Sequence, residues 1–383
     1  MKKFGLTTGI LLSILLICSF AVVAADNIVI GVHEPMTGPI AAGGQMTMEG
    51  VNLAFEQTPT VLGKPIKMVL VDNKGEKVEA ANAISRLIEF EKVIAIVGSY
   101  GSTVTIAGGE VANRAGIPMV GCSPTNPLCT LGKPFVFRAC FIDPFQGAVM
   151  ANFAVNDLKA KTAVVIQDIA ADYSVGLSNF FRESFIKLTG DKASVLGLIS
   201  YQGGGIGDQD FTAQLSFAAG KNPDVIFIPG ASYGDVALMI IQAREMGIDA
   251  IFLGGDTWEA PEFLEVGGKA IEGSYFSTHF DATAITTKAA EKFNKDFMDK
   301  YGKQPSAFAA LGFDAYNIVI DAIKRANSSD PKAIRDAIAE TKDFEGVTGI
   351  ITLDENGDAI KDAVIKKVED GKFKYVTTVH PVK

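Results

Sequence analysis

Short runs of β-branched and apolar residues recur along the chain, separated by longer stretches whose apolar positions repeat at helical spacing. The first such series predicts strands at 28–32, 66–71, 93–97, 117–120 and 135–138. Between them, 79–90 places Ala80, Ala83, Ile84, Leu87 and Ile88 on one helical face. Strands alternating with helices mark a parallel α/β sheet.

The pattern then starts again. Strands at 163–166, 195–199, 225–228 and 251–253 alternate with helices near 176–187, 211–219 and 236–246. A second doubly wound lobe fits this restart, and Phe141-Ile142-Asp143-Pro144 reads as a crossover between lobes. Helices follow at 288–300, 308–325 and 331–341. The runs 350–353 and 363–368 flank Asp354-Glu-Asn-Gly-Asp358, which predicts a hairpin whose turn uses positive φ at Asn356-Gly357. The acidic spacing there imitates the start of a calcium loop, but the bidentate Glu near its end is missing and no calcium site is expected.

Composition adds a compartment. The 383 residues are 48% hydrophobic, enough for two cores and against general disorder. Lys2 and Lys3 precede the apolar run 10–23, which ends at Ala24-Ala25, so 1–25 reads as a secretory signal peptide and the mature chain starts at Asp26. Ile17 before Cys18 is not the small residue that lipidation requires. Loss of the two lysines takes the formal charge from -9 to -11, and basic residues are interspersed with acidic ones, which excludes a nucleic-acid partner. Of the three mature cysteines, Cys122 and Cys129 can close a small disulfide loop in an oxidising compartment, leaving Cys140. Neither their spacing nor His33, His279 and His380 suggests zinc, and no cofactor is implied.

Ligands of open α/β sheets sit beyond the carboxyl ends of the strands, so residues following each apolar run carry the chemistry. After 93–97 come Gly98-Ser-Tyr-Gly-Ser102-Thr103, and after 117–120 come Gly121-Cys-Ser123-Pro-Thr125-Asn126-Pro127. Ser102 and Thr103 open a helix, where hydroxyls and free N–H groups suit a carboxylate; alternatively Ser102 only caps that helix. In the second series, 163–166 leads to Asp168 and Tyr173, and 251–253 leads to Gly254-Gly255-Asp256-Thr257-Trp258. A carboxylate at Asp256 facing hydroxyls and amides on the other lobe complements a zwitterion; otherwise Asp256 caps a helix before Pro261. Gly230-Ala-Ser232-Tyr-Gly234 matches the nucleophile elbow of serine hydrolases, with Ser232 as nucleophile, but no HGGG-type oxyanion segment accompanies it. No G-x-G-x-x-G follows a strand, which argues against a nicotinamide enzyme.

In order, Ile28-Val-Ile-Gly-Val, Met36-Thr-Gly-Pro39, Gly98–Ser102, Thr125-Asn-Pro127, Asp168–Tyr173 and Gly254-Gly-Asp256 resemble the periplasmic branched-chain amino-acid-binding proteins of ABC transporters, over essentially the whole mature chain. The resemblance implies a type I periplasmic binding fold: two lobes, 26–143 with 280–349 and 144–279 with 350–383, joined by three hinge crossovers. It implies a non-enzymatic, monomeric receptor that delivers an amino acid to a membrane permease. Ser102 and the backbone of Ser123 with Thr125 would hold the α-carboxylate and share the ammonium, Asp256 would neutralise the ammonium, and Tyr173 would pack over the ligand. Asp256 stands where better-known members carry Glu. Side-chain-pocket positions fall on Gly43, Ser232 and Phe308, with Tyr100 and Trp258 as walls. Gly43 and Ser232 are smaller than their counterparts, which implies a roomier pocket open to branched-chain or aromatic side chains; an amide, urea or aromatic acid is the alternative ligand on the same fold.

Overall fold

A computed structural model describes residues 27–204 and 207–381; the expected signal segment lies outside the described residues. The chain begins with β1 (Ile28–Glu34), α1 (Ala41–Gln57), β2 (Thr60–Val61), β3 (Lys64–Asp72), α2 (Lys77–Glu89), β4 (Ala95–Val97) and α3 (Ser102–Ala115). It continues through β5 (Met119–Gly121), β6 (Val136–Arg138), α4 (Asp143–Asn152), β7 (Ala163–Asp168), α5 (Asp172–Thr189), β8 (Val195–Tyr201) and α6 (Thr212–Lys221). Next come β9 (Val225–Phe227), α7 (Tyr233–Glu245), β10 (Ile251–Gly254), α8 (Pro261–Gly267), β11 (Tyr275–Thr278), α9 (Lys288–Tyr301) and α10 (Ala307–Ala326). The last elements are α11 (Pro331–Ala339), β12 (Phe344–Gly346), β13 (Gly349–Leu353), β14 (Ala359–Ile360), β15 (Ala363–Glu369) and β16 (Lys372–Val379).

One large sheet has the order β2-β3-β1-β4-β5-β6, the other β16-β15-β11-β10-β9-β7-β8, and β12-β13-β14 form a small third sheet. Their parallel cores are the same design, since β3-β1-β4-β5-β6 matches β8-β7-β9-β10-β11 strand for strand. The central strands β4, β5, β7 and β9 are buried on both faces, and in β4 and β7 alternate residues serve different cores. In β4, Ala95 and Val97 pack toward α1 and α10 while Ile96 packs with Ile84 and Leu87 of α2. In β7, Val164 and Ile166 join one cluster, and Ala163 and Val165 join Leu177 and Phe181 of α5 in the other.

The chain passes between the cores of the two large sheets after β6, after β11 and again after β14, which packs with the first, and this gives the three crossovers. The second crossing returns α9 and α10 to the first sheet. There α10 lies against α1, and at two glycines the backbones meet directly. A Cβ at Gly50 would stand 1.7 Å from the carbonyl oxygen of Ala309, and one at Gly312 would stand 2.3 Å from that of Thr47. These glycines set the spacing of the two helices that cover the sheet.

Four expectations change. The strand β13 pairs with the short β14, whereas 363–368 lies in β15 and pairs with β11 and β16. The 354–358 turn takes positive φ only at Gly357 among its non-terminal pair, and the Asp354 carboxylate accepts from the N–H groups of Asn356 and Asp358. Ile351, Leu353 and Ala359 pack in the first sheet's core, so 350–360 stays with that sheet and the third crossing follows Ile360. The crossover expected at 141–144 is where the chain first changes sheets, and Asp143 and Pro144 begin α4, with Pro in the first turn. Cys122, Cys129 and Cys140 are buried free thiols: the Cys129 thiol is directed to the Ser102 carbonyl and the Cys140 thiol to that of Pro124, so Cys122 and Cys129 are unpaired with each other.

Gly50→Ala should cost about 1–3 kcal/mol or more in urea unfolding, because the added methyl meets backbone and cannot be absorbed by a rotamer change. An unchanged midpoint would contradict this helix contact.

Candidate functional site

Both sheets reverse their strand order beside their first long strand, β1 against β4 and β7 against β9, and the two switch points face each other across a cleft. The cleft holds a cavity of about 110 Å³. The first lobe lines it with Ile40, Tyr100, Ser102 and Ser123, and the second with Asp168, Tyr173, Ser232 and Thr257.

The start of α3 is the most unusual wall. Its N-cap is Gly101, at φ 88°, and no side chain among the described residues caps the helix. Ser102 therefore does not cap α3; its Oγ accepts from the N–H of Asn126 at 3.1 Å. The Ser123 hydroxyl is buried beside it without a hydrogen-bond partner among the described residues. First-turn N–H groups without intrahelical acceptors, a donor hydroxyl and the positive end of a 14-residue helix together form a pocket for a carboxylate.

The loop before α3 is pinned from below. The N–H of Tyr100 donates to Glu34 Oε2 at 2.7 Å, and Asn73 donates to Ser99 Oγ at 2.9 Å. Gly98 takes φ 112°, and a Cβ there would lie 2.4 Å from the His33 carbonyl. Burial pushes the Glu34 carboxyl up to about 8 and the His33 imidazole down to about 4. The neighbouring loop is held by Arg138, which is fully buried. Its guanidinium donates to the carbonyls of Pro124 and Asn126 at 2.7 and 2.9 Å and to Thr130 Oγ1 at 2.7 Å, and it pairs with Asp358 at 2.6 Å.

The lobes touch across the cleft. The N–H of Ala42 in the first turn of α1 donates to the Tyr233 hydroxyl at 2.9 Å, and that of Asp172 at the start of α5 donates to Thr103 Oγ1 at 3.0 Å. Neither helix has a cap of its own, so each is capped by the opposite lobe. Asn126 donates to the Asp172 carbonyl at 2.8 Å and Lys77 pairs with its carboxylate at 2.9 Å. The conformation is closed.

The remaining expected site residues divide. Tyr100, Ser102, Ser123, Tyr173 and Ser232 line the cavity, whereas Asp256, Thr125, Trp258, Phe308 and Gly43 stand behind its wall. Asp256 does not present a free carboxylate: Oδ1 accepts from Tyr173 and Gln146, both at 2.9 Å, and Oδ2 lies 3.1 Å from His279 Nε2. Thr125 abuts the Asp143 carboxyl, which burial pushes up to about 8. Trp258 is a core residue, not a wall, with its ring over Gly254, stacked on Phe263, and its N–H donating to the Ile228 carbonyl at 3.1 Å. Gly43 leaves no open room, because the Tyr100 ring occupies it, and Phe308 supports that ring at 4.8 Å. Ser232 caps α7 by accepting from Asp235 N–H, with no histidine among its hydrogen-bond partners in the described residues. Glu34, Gln146 and His279 were not anticipated. Glu34 ends β1 and His279 directly follows β11, so the rule of looking past each strand end would have found both.

The sequence pattern of the periplasmic binding protein family matches residues 27–372. The chain belongs to that family. This periplasmic binding protein is similar to the leucine-binding protein LivK of Thermotoga maritima, with 47% identity and a TM-score of 0.89 over 92% of this chain and 99% of that one. It is similar to LivJ of Streptococcus pneumoniae, solved with isoleucine, with 34% identity and a TM-score of 0.85 over 93% and 100% of the two chains. Leu/Ile/Val-binding protein homolog 3 of Brucella melitensis is 28% identical over 360 residues, 92% of this chain and 95% of that one. The family and these relatives are solute-binding proteins, not enzymes, and the Gly-x-Ser-x-Gly run of this binding protein is a strand-to-helix turn.

Glu34 gives the binding protein a testable pH response. Its folded carboxyl is raised from 4.5 to about 8, so the folded state holds a proton that the unfolded state releases, and its contribution is full below about pH 4.5 and lost as pH rises toward 8. Glu34→Gln keeps an acceptor for Tyr100 N–H. Its melting temperature relative to wild type should rise between pH 5 and 9; a difference independent of pH would contradict the buried neutral carboxyl.

Proposed function

We propose that this protein captures a branched-chain amino acid between its two lobes, outside the cytoplasmic membrane, and as a monomer presents the closed complex to an ABC permease. The observation that carries this reading is the uncapped start of α3, which lines one cavity between the lobes together with the unpartnered Ser123 hydroxyl. The ligand carboxylate takes the N–H groups of that first turn together with the Ser102 and Ser123 hydroxyls. The ammonium is balanced through the Tyr173 hydroxyl by Asp256, which stands behind the cavity wall next to cavity-lining Thr257. Thr125 supports the carboxylate loop from behind. A cavity of about 110 Å³ is below the roughly 300 Å³ at which drug-sized pockets begin, in keeping with a compact solute. LivK is a leucine-binding protein and LivJ was solved with isoleucine, and these two relatives supply the side-chain class.

The bodies that close are 27–142 with 280–360 and 143–279 with 361–381. Closure follows from the bonds already named: α1 and α5 gain their caps only when the lobes meet.

Calorimetry on refolded, ligand-stripped protein tests the reading with leucine, isoleucine and valine, and with leucinamide and N-acetyl-leucine as blocked controls. Saturable one-to-one binding that disappears when either charged group is blocked is the expected outcome. Asp256→Asn should weaken leucine binding by about 10- to 100-fold, equivalent to roughly 1.4–3 kcal/mol. Equal affinity for leucine and leucinamide would contradict the carboxylate site. Binding of benzoate or an amide in place of any amino acid would replace the proposed ligand class.

A further inference from the structure

Position 43 and Tyr100 share one volume. A Cβ at Gly43 would lie 2.4 Å from Cζ of the Tyr100 ring and 2.5 and 2.6 Å from its two Cε atoms, so no larger residue at 43 is compatible with this ring position. The ring is held from several sides. Phe308 meets it edge to face with centroids 4.8 Å apart, Met46 of α1 packs in the same cluster, and its own N–H is fixed by Glu34 at 2.7 Å. Tyr100 is 2% exposed and forms part of the cavity wall. Its hydroxyl has no hydrogen-bond partner among the described residues, and the contacts that fix the side chain are those of its ring.

We propose that Tyr100 is the specificity-determining residue for ligand size: it supplies from the β4–α3 loop the bulk that α1 lacks at Gly43, and thereby limits the ligand to an aliphatic side chain and rejects phenylalanine. The proposal rests on the amino-acid reading above. A close-packed wall discriminates by size because an oversized side chain has to displace a ring that is itself supported by Phe308 and the body of α1. Removing the ring opens space directly over Gly43, where the α1 backbone offers no side chain to refill it.

The test is the ratio of dissociation constants for phenylalanine and leucine, measured by calorimetry on wild type, Tyr100→Phe and Tyr100→Ala. Wild type should prefer leucine by about 100-fold or more, within the range that differences in size support in an apolar pocket. Tyr100→Phe should keep that ratio, since it removes only an unpartnered buried hydroxyl. Tyr100→Ala should bring the ratio within about 10-fold, with phenylalanine gaining affinity in absolute terms. Should Tyr100→Ala fail to fold, Tyr100→Leu serves the same purpose and should shift the ratio in the same direction. A variant that is folded, binds leucine and keeps the wild-type ratio overturns the proposal, as does a wild type that binds both ligands equally. Absence of binding to every amino acid by wild type overturns the underlying reading, a result distinguishable from an unchanged ratio.

Discussion

The first turn of α3 carries backbone N–H groups that no side chain among the described residues caps, and it carries them at the wall of the cavity between the lobes. An unsatisfied buried donor costs about 1–3 kcal/mol, so such a helix start is tolerable only if a ligand or solvent completes it. The surroundings hold it ready. Glu34 and Asn73 brace the 98–101 loop from the end of β1 and the end of β3, and Arg138 braces the 123–127 loop from the end of β6. The two loops meet through Ser102 Oγ and the Asn126 N–H. The anion pocket is thereby preorganised on the rigid ends of a parallel sheet.

The second lobe is tied to that pocket by the same kind of interaction. The helix starts of α1 and α5 are capped only across the cleft, by Tyr233 and Thr103. A side-chain cap is worth about 0.5–2 kcal/mol, and these caps exist only in the closed form. A solute that satisfies α3 therefore completes a set of helix starts that includes one from each lobe already capped by the other. Behind them, Asp256 binds Tyr173 of α5, Gln146 of α4 and His279 at the second crossover, and the His279 ring lies 3.9 Å from that of Phe141 at the first. The Asp256 carboxylate is thus bonded to the segments where the chain changes lobes.

Much of this was legible in the order of residues. Strands buried on both faces give unbroken apolar runs, which is why 93–97 and 163–166 were readable and why the repeated pattern implied two lobes. The hydroxyl-rich segment after β4 followed from the strand-end rule. What failed was what depends on distant partners. Asp256 meets Gln146 across 110 residues of chain, so its saturation was invisible locally. Trp258 had the size of a pocket wall, but only packing against Gly254 and Phe263 decides that its ring faces the core. The hairpin was missed although its signal was present: Asp370 and Gly371, both at positive φ, join β15 to β16, while the more conspicuous Asn356-Gly357 drew attention to the wrong partner strand. The glycine at 43 suggested space because nothing in its own neighbourhood reveals a ring contributed from position 100.

The most direct measurement is a crystal structure of the protein with leucine bound. The predicted result places the ligand carboxylate within hydrogen-bond distance of first-turn N–H groups of α3 and of Ser123 Oγ, with both lobes in contact and the Ala42–Tyr233 and Asp172–Thr103 bonds intact. A carboxylate held elsewhere, or leucine bound outside the cleft with α3 still uncapped, would contradict the claim that the uncapped helix start is the centre of recognition.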